Sequence, residues 1–237
     1  MKIIQQIAII FFDILDKYIQ QKRILKFFQK TNIKLNTYFD VGSHKGTYTD
    51  LILNNFKVKK VFMFEPQEHI FNFIKKKYKN LKKVKIYNNA ISDRNIFQTL
   101  YYNYHDLTSS LTKLDEKNNY LILKAKIFGK SSKKMIYKKN KVKTVQLSKI
   151  MKSNKIKKID LLKIDTEGHE LQVLKSLNKN IKNISYILVE FHNDSIYLNY
   201  SPKKVHAYLI KNNFILKEVY KFPFTTWEDR IYKIKKP

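Results

Sequence analysis

The stretch Thr37-Tyr38-Phe39-Asp40-Val41-Gly42-Ser43-His44-Lys45-Gly46-Thr47-Tyr48 decides the fold. An apolar run ends in an acid, and two glycines then enclose a polar turn before a helix-like segment begins. This order of strand, glycine turn and helix N-terminus is typical of nucleotide sites in parallel sheets, although the same corner also forms without a ligand. We expect Gly42 to let a ligand approach the main chain and Gly46 to let the helix start close to the strand. The third glycine of the dinucleotide fingerprint is absent, which favours a ligand without a diphosphate.

A second apolar run ends in an acid at Lys60-Val61-Phe62-Met63-Phe64-Glu65-Pro66. A carboxylate about 20 residues after the glycine turn, at the end of the second strand, is placed to accept hydrogen bonds from both ribose hydroxyls. The alternative for Glu65 is a solvated carboxylate at a strand end. Both halves of the fingerprint occur at the required separation, and S-adenosylmethionine has the ribose and the charged tail that they suit.

The composition describes one domain of 237 residues without cysteine, which excludes disulfides, thiolate metal sites and cysteine nucleophiles. The formal charge is +29, but lysine is spread along the whole chain and arginine occurs only at Arg23, Arg94 and Arg230. A nucleic-acid surface usually interleaves arginine and exposed aromatics, so the charge indicates biased composition and no specific nucleic-acid partner is expected. We divide the chain into an N-terminal helical region at 1–35 and a Rossmann-like domain at 36–237, with a basic surface insertion at 123–141.

Residues 3–30 have apolar side chains at a helical period, and their longest apolar run is too short to span a bilayer. No cleavage site for a signal peptide follows. We expect this helix to cover an edge of the fold in a cytoplasmic protein. The alternative is a weak association of its apolar face with a membrane surface, given its basic flanks.

The most informative block after the glycine turn is Ile159-Asp160-Leu161-Leu162-Lys163-Ile164-Asp165-Thr166-Glu167-Gly168-His169-Glu170. It predicts a buried strand followed by a helix, and Ile184–Phe191 predicts the next central strand, which continues into His192. Because ligands collect at the carboxyl ends of parallel strands, Asp165, Glu167, Glu190 and His192 are expected around the mouth of the site. Asn88–Asp93 follows a short strand at Val84–Tyr87, and this loop could reach an adenine ring. Residues 112–141 are predicted to be the least regular part of the chain.

With these residues in view, the chain resembles the FkbM family of S-adenosylmethionine-dependent methyltransferases over about residues 37–192. The resemblance rests on the motif at Asp40–Gly46, Phe64-Glu65-Pro66, Asn89–Asp93, Ser109-Ser110-Leu111 and, above all, Leu162–Glu170. It implies an α/β, Rossmann-like class I methyltransferase fold, with a mostly parallel seven-stranded sheet, one antiparallel strand and helices on both faces. It also implies methyl transfer, usually to a hydroxyl of a glycan or secondary metabolite. The candidate cofactor residues are Asp40, Gly42, Ser43, Gly46, Glu65, Pro66, Ala90, Asp93 and Asp165.

Methyl transfer to a hydroxyl requires the acceptor oxygen to be held behind the methyl carbon while its proton is removed. We hypothesise that His192 or Asp165 is the base and that Glu167 and Glu190 orient acceptor hydroxyls. A structural hydrogen bond is the alternative role for His192. A divalent metal ion held by Asp165, Glu167, Glu190 and His192 is conceivable but not favoured, because the same groups serve a metal-free site. The rival from another class is a non-catalytic or RNA-binding Rossmann-like protein that uses its basic surface.

Overall fold

The computed structural model describes residues 19–103, 108–127, 129–223 and 225–235. Within them, α-helices lie at Gln21–Lys30 (α1), Thr47–Asn55 (α2), Glu68–Lys77 (α3), Asn119–Ile127 (α4), Leu147–Ser153 (α5), Glu170–Lys175 (α6) and Pro202–Lys211 (α7). Short 3-10 helices lie at Ser132–Lys134 and Asn178–Asn183. Strands lie at Thr37–Val41 (β1), Lys60–Phe64 (β2), Val84–Tyr87 (β3), Ala90–Ile91 (β4), Phe97–Asn103 (β5), Ile136–Val145 (β6), Ile159–Ile164 (β7), Ile184–His192 (β8), Phe214–Lys221 (β9) and Trp227–Ile234 (β10).

Seven strands form the main sheet in the order β3-β2-β1-β7-β8-β10-β9. Strands β1, β2, β3, β7 and β8 pair in parallel, whereas β10 is antiparallel to both of its neighbours. The predicted α/β fold, with a mostly parallel seven-stranded sheet and one antiparallel strand, is confirmed. The strand order changes direction between β1 and β7, and ligands of open parallel sheets bind beyond such a switch point.

Alternate residues of the central strands face opposite layers of helices, as the pleat of a strand requires. Phe39, Val41 and the corresponding side chains of β2, β7 and β8 pack against α5, α6 and α7. Tyr38 on the other face packs in a second core with α1, α2 and α3. Asp40 shares the face of Tyr38, so its carboxylate points toward α2 rather than toward the first core. The predicted helices on both faces of the sheet are confirmed.

A second, three-stranded sheet in the order β4-β6-β5 stands beside the carboxyl end of β3. The expectation that residues 112–141 are irregular is wrong, because they contain α4, a 3-10 helix and the first half of β6. Two of the four lysines of β6 have their ammonium groups over aromatic rings of the paired strand. Lys138 Nζ lies 5.4 Å from the ring centroid of Tyr102, and Lys139 Nζ lies 5.8 Å from that of Tyr101.

The N-terminal helical region is described only from residue 19 onward. Helix α1 buries Ile24 and Phe28, and the ring of Phe28 contacts Tyr186 of β8 at a centroid distance of 5.8 Å. The expected helix over residues 3–18 and its association with a membrane surface lie outside the described residues. Among the helices that the structure does describe, none has the length and apolar character needed to cross a bilayer.

Candidate active site

A cleft opens at the carboxyl ends of β1, β2 and β7, and the small sheet forms its opposite wall. Three segments that the sequence separates widely meet there, since Gly42, Glu65 and Asp165 each follow a different central strand. The lining residues are Val41, Gly42, His44, Phe64, Glu65, Pro66, Gln67, Asn89, Ala90, Ile91, Leu100, Ser109, Ser110, Leu111, Asp165, Thr166, Glu167 and His169. The predicted switch-point site is therefore a cleft in the structure.

Glu65 lies at the floor of the cleft and is held by the main chain on both sides. One carboxylate oxygen accepts a hydrogen bond from His44 N at 2.9 Å, and the other accepts from Gln67 N at 2.8 Å. Burial raises the pKa of Glu65 to about 7, against the opposing effect of these hydrogen bonds. The carboxylate is thus fixed beside the glycine turn, at the position where the sequence predicted a ribose contact.

The two glycines of the turn have φ angles of +76° and +80°, in the region that favours glycine. Gly42 packs directly against the main-chain oxygen of Asp165, and Gly46 packs against the ring of Tyr78. The hydroxyl of Tyr78 donates to Gly46 O at 2.9 Å. Close packing with the protein itself is therefore sufficient reason for both glycines, in addition to the ligand approach that the sequence suggested for Gly42.

Five of the predicted cofactor residues line the cleft, namely Gly42, Glu65, Pro66, Ala90 and Asp165. The other four do not line it, although they lie close to it in the chain. Ser43 is buried with its hydroxyl 3.5 Å from Phe64 O, and Gly46 begins α2. Asp93 accepts a hydrogen bond from Ser92 at 3.2 Å outside the lining. Asp40 is fully buried beneath the floor.

Asp40, Lys163 and Asp165 form a charged group beneath and beside the floor of the cleft. Thr49 Oγ1 donates to Asp40 at 2.6 Å, and the ammonium of Lys163 lies 3.7 Å from Asp40 and 3.0 Å from Asp165. Burial raises the pKa of Asp40 despite the neighbouring Lys163. Burial also tends to raise the pKa of Asp165, but the positive charge of Lys163 outweighs this effect, so the pKa is lowered. Lys163 thus keeps Asp165 ionised at the edge of the cleft.

At the cleft wall and behind it, two carboxylates and one imidazole meet, from Glu167, Glu190 and His192. His192 Nε2 lies 3.3 Å from a Glu190 oxygen and 3.5 Å from a Glu167 oxygen, and neither contact meets hydrogen-bond geometry. The hydroxyl of Tyr197 donates to Glu167. Of the four predicted catalytic residues, Asp165 and Glu167 line the cleft, whereas Glu190 and His192 lie behind them.

Burial and mutual repulsion govern protonation in this cluster. Burial raises the pKa of Glu167, and burial together with the charge of Asp165 raises that of Glu190 well above its usual range. Burial alone would lower the pKa of His192, but the two glutamates raise it to about 10. Burial lowers the pKa of His169 to about 4, because it outweighs the opposing charge of Asp93.

The loop that carries Glu167 is fixed by side-chain hydrogen bonds to its main chain. Glu167 has a φ of +56°, which is uncommon for a residue with a side chain. Ser110 Oγ donates to Glu167 O at 2.6 Å, and Thr112 Oγ1 donates to Gly168 O at 2.9 Å. One carboxylate oxygen of Glu170 accepts a hydrogen bond from Gly168 N at 3.0 Å. The same oxygen also accepts hydrogen bonds from the main-chain nitrogen and the hydroxyl of Thr166. The Ser109-Ser110-Leu111 segment therefore holds the Glu167 loop in place.

Sequence reasoning missed Lys163, Tyr197 and the pair of Ser92 with His169. A lysine within an otherwise apolar buried strand was the available signal for Lys163. His169 Nε2 lies 3.0 Å from Ser92 Oγ at the cleft wall. Tyr197 follows β8 in a loop where no sequence pattern points to Glu167.

Comparison with known proteins decides the family. Residues 40–216 match the methyltransferase FkbM domain. The chain belongs to the FkbM methyltransferase family. This membership confirms the family predicted from the motifs, with S-adenosylmethionine as its methyl donor. The chain has no significant match among curated proteins.

Solved structures of methyltransferases share the fold of this FkbM-family chain. FkbM from Methylobacillus flagellatus KT matches with a TM-score of 0.53 and 12% identity over 84% of this chain and 44% of its own. The present chain thus spans less than half of that protein. TrmK of M. capricolum, solved with S-adenosylhomocysteine, matches with a TM-score of 0.51 and 12% identity over 92% of this chain and 69% of its own. Sp1610 of Streptococcus pneumoniae, a putative tRNA methyltransferase solved with S-adenosylmethionine, matches with a TM-score of 0.50 and 10% identity over 91% of this chain and 73% of its own. At these identities the likeness shows the fold alone.

Proposed function

We propose that the protein transfers a methyl group from S-adenosylmethionine to a hydroxyl of a glycan or a secondary metabolite. The observation that carries this proposal is that Asp165 and Glu167 line the same cleft as Gly42 and Glu65. Glu65 and the glycine turn suit the ribose of the donor. The two further carboxylates then face the remaining space, where an acceptor hydroxyl can donate hydrogen bonds to them.

The arrangement suits an in-line displacement. An acceptor oxygen has to lie behind the methyl carbon with a proton acceptor beside it, and positioning supplies most of the rate enhancement. Asp165 and Glu167 stand at the cleft surface for that task, which favours one of them as the proton acceptor. His192, the other base suggested by the sequence, contacts Glu167 and Glu190 rather than the cleft. We assign it the role of positioning Glu167.

The experiment is transfer of a labelled methyl group to a panel of polyols, oligosaccharides and hydroxylated aromatics, with bulk tRNA as the nucleic-acid acceptor. We expect label in one of the hydroxyl compounds, and a mass increase of one methyl group in a product that resists alkaline hydrolysis, as an ether does. Asp165→Asn should abolish the transfer, whereas Glu228→Gln, a buried glutamate paired with Arg230, should retain it. Label found only in tRNA would overturn the glycan or metabolite acceptor and support the alternative in which the basic surface binds RNA.

A further inference from the structure

The cluster of Glu167, Glu190 and His192 has a geometry that the methyl transfer proposed above does not explain. Each residue offers one potential ligand atom, and these three atoms lie within 4.8 Å of one another. Atoms bound to one metal ion at about 2.1 Å are separated by roughly 3 to 4.3 Å. The contacts of 3.3 and 3.5 Å from His192 to the two glutamates fall inside that range.

His192 supplies a second, independent observation. Its side chain is 6% exposed, and its Nε2 atom faces the two carboxylates without a hydrogen bond that meets normal geometry. Buried polar atoms are nearly always hydrogen-bonded, and exceptions call for an explanation such as a missing ion. A cation between the imidazole and the two carboxylates would satisfy this atom and both glutamates.

The balance of charges around the cluster also favours a bound cation. Carboxylates outnumber cations in the neighbourhood, although basic residues outnumber acidic ones by 48 to 19 in the whole chain. Excess negative charge that is removed from water has to be neutralised, either by protons or by a bound cation. The carboxylates are Asp40, Asp165, Glu167, Glu170 and Glu190, and the ammonium groups are those of Lys124 and Lys163.

We propose that Glu167, Glu190 and His192 bind one divalent transition-metal ion. Imidazole together with carboxylates suits ions such as Mn²⁺ or Zn²⁺, whereas Mg²⁺ prefers an all-oxygen shell. Asp165 does not belong to the set, because Lys163 already neutralises it at 3.0 Å. This differs from the ligand set conceived from the sequence, which included Asp165.

The site would act at the edge of the cleft, because Glu167 lines the cleft while the other two ligands lie behind it. A metal ion there has open coordination positions for an oxygen of the acceptor, and it would polarise that oxygen. This role rests on the proposed function, whereas metal binding itself does not.

Binding is tested on the metal-free full-length protein by calorimetric titration with MnCl₂ and with MgCl₂, and by the loss of the free Mn²⁺ signal in electron paramagnetic resonance. We expect one Mn²⁺ per chain, bound more tightly than Mg²⁺. Glu190→Gln and His192→Asn should each weaken Mn²⁺ binding at least about 10-fold. Glu228→Gln, the buried control, should bind like the wild type, and circular dichroism verifies the fold of each variant.

Tyr197→Phe keeps the test decisive if the ligand variants do not fold. It removes the hydroxyl that donates to Glu167 and leaves all three ligands, so Mn²⁺ binding should persist or strengthen. The proposal is overturned if folded wild-type protein binds no Mn²⁺, if folded Glu190→Gln and His192→Asn bind it as tightly as the wild type, or if folded Tyr197→Phe loses it. Binding of S-adenosylhomocysteine to the metal-free protein serves as a separate readout. If the wild-type protein binds S-adenosylhomocysteine but not Mn²⁺, only the metal site is refuted. If it does not bind S-adenosylhomocysteine, the proposed function is refuted.

Discussion

A Cβ atom on residue 42 would lie 1.7 Å from the main-chain oxygen of Asp165, so the chain segments that follow β1 and β7 can pack this closely at the cleft only with a glycine at residue 42. Through backbone atoms alone, this contact connects the glycine turn that we assign to S-adenosylmethionine with the residue that we assign to the acceptor. It also extends the parallel pairing of the two strands, since Asp165 N donates to Val41 O at 3.0 Å. The position of Asp165 therefore depends on the absence of a side chain at residue 42.

Gly42→Ala is expected to destabilise the protein, because the new methyl group would collide with the Asp165 carbonyl and the φ of +76° disfavours a side chain. The left-handed conformation alone costs about 1 to 2 kcal/mol, and the collision adds to it. Urea denaturation should show a loss in the free energy of unfolding of at least about 2 kcal/mol. Ser43→Ala, next in the chain, is the control and should lose less than half of that. Equal stability of the two variants would contradict the packing argument.

Glu65→Gln is expected to weaken binding of S-adenosylmethionine by about 10- to 100-fold, the effect of replacing a charged hydrogen-bond acceptor by a neutral one. Isothermal titration calorimetry measures this directly. Glu68→Gln provides a matched control three residues later, where the side chain is exposed at the start of α3. Unchanged affinity in Glu65→Gln would exclude the ribose contact.

The affinity for S-adenosylmethionine should also fall as the pH is lowered through about 7, the pKa to which burial raises Glu65. Below that value the carboxyl takes up a proton and loses acceptor capacity for the ribose hydroxyls. The dissociation constant should then rise by up to about tenfold per pH unit. The same titration series on Glu65→Gln should be nearly flat between about pH 8 and about pH 5.5. A parallel slope in both proteins would assign the effect to another group.

Lys163→Met should destabilise the protein by about 3 to 5 kcal/mol, because it leaves Asp40 and Asp165 without their buried partner. Lys158→Met is the control, since its ammonium also lies close to an aspartate, at 2.9 Å from Asp160, but its side chain is 64% exposed. Although Asp160 is buried, water screens the exposed ammonium of Lys158, so we expect this pair to contribute at most about 1 kcal/mol. Thermal or urea unfolding compares the two variants, and similar losses would show that burial of the Lys163 pair has no special weight.

The sequence was sufficient to predict the main sheet and the floor of the cleft. Runs of apolar residues that end in Asp40, Glu65 and Asp165 mark parallel strands directly, because such strands are buried on both faces. Ser201 followed by Pro202 is typical of a helix N-terminus, and in the structure Ser201 Oγ accepts a hydrogen bond from Lys204 N where the helix Pro202–Lys211 begins. Local chemistry determines these features, so that no tertiary contact has to be known in advance.

Features that depend on long-range contacts could not be read in the same way. Asp40 lies near the end of β1, where an acid that binds a ligand is expected. The pleat of the strand instead directs its carboxylate toward Thr49 and Lys163, beneath the floor of the cleft. The lysine-rich segment was expected to be irregular, and only pairing with the tyrosines of β5 makes it a strand. The contact of Tyr197 with Glu167 depends on how the chain returns after β8, which no local pattern specifies.

The separation of the small sheet from the large one has an evolutionary consequence. In the described residues the three strands β4, β6 and β5 form no ladder with the seven-stranded sheet, yet Leu100 and Ala90 line the cleft. Substitutions and length changes in β5 and β6 can therefore reshape one wall without altering the register of β1, β2 and β7. We expect such changes to alter the shape of that wall while Gly42 and Glu65 keep their positions.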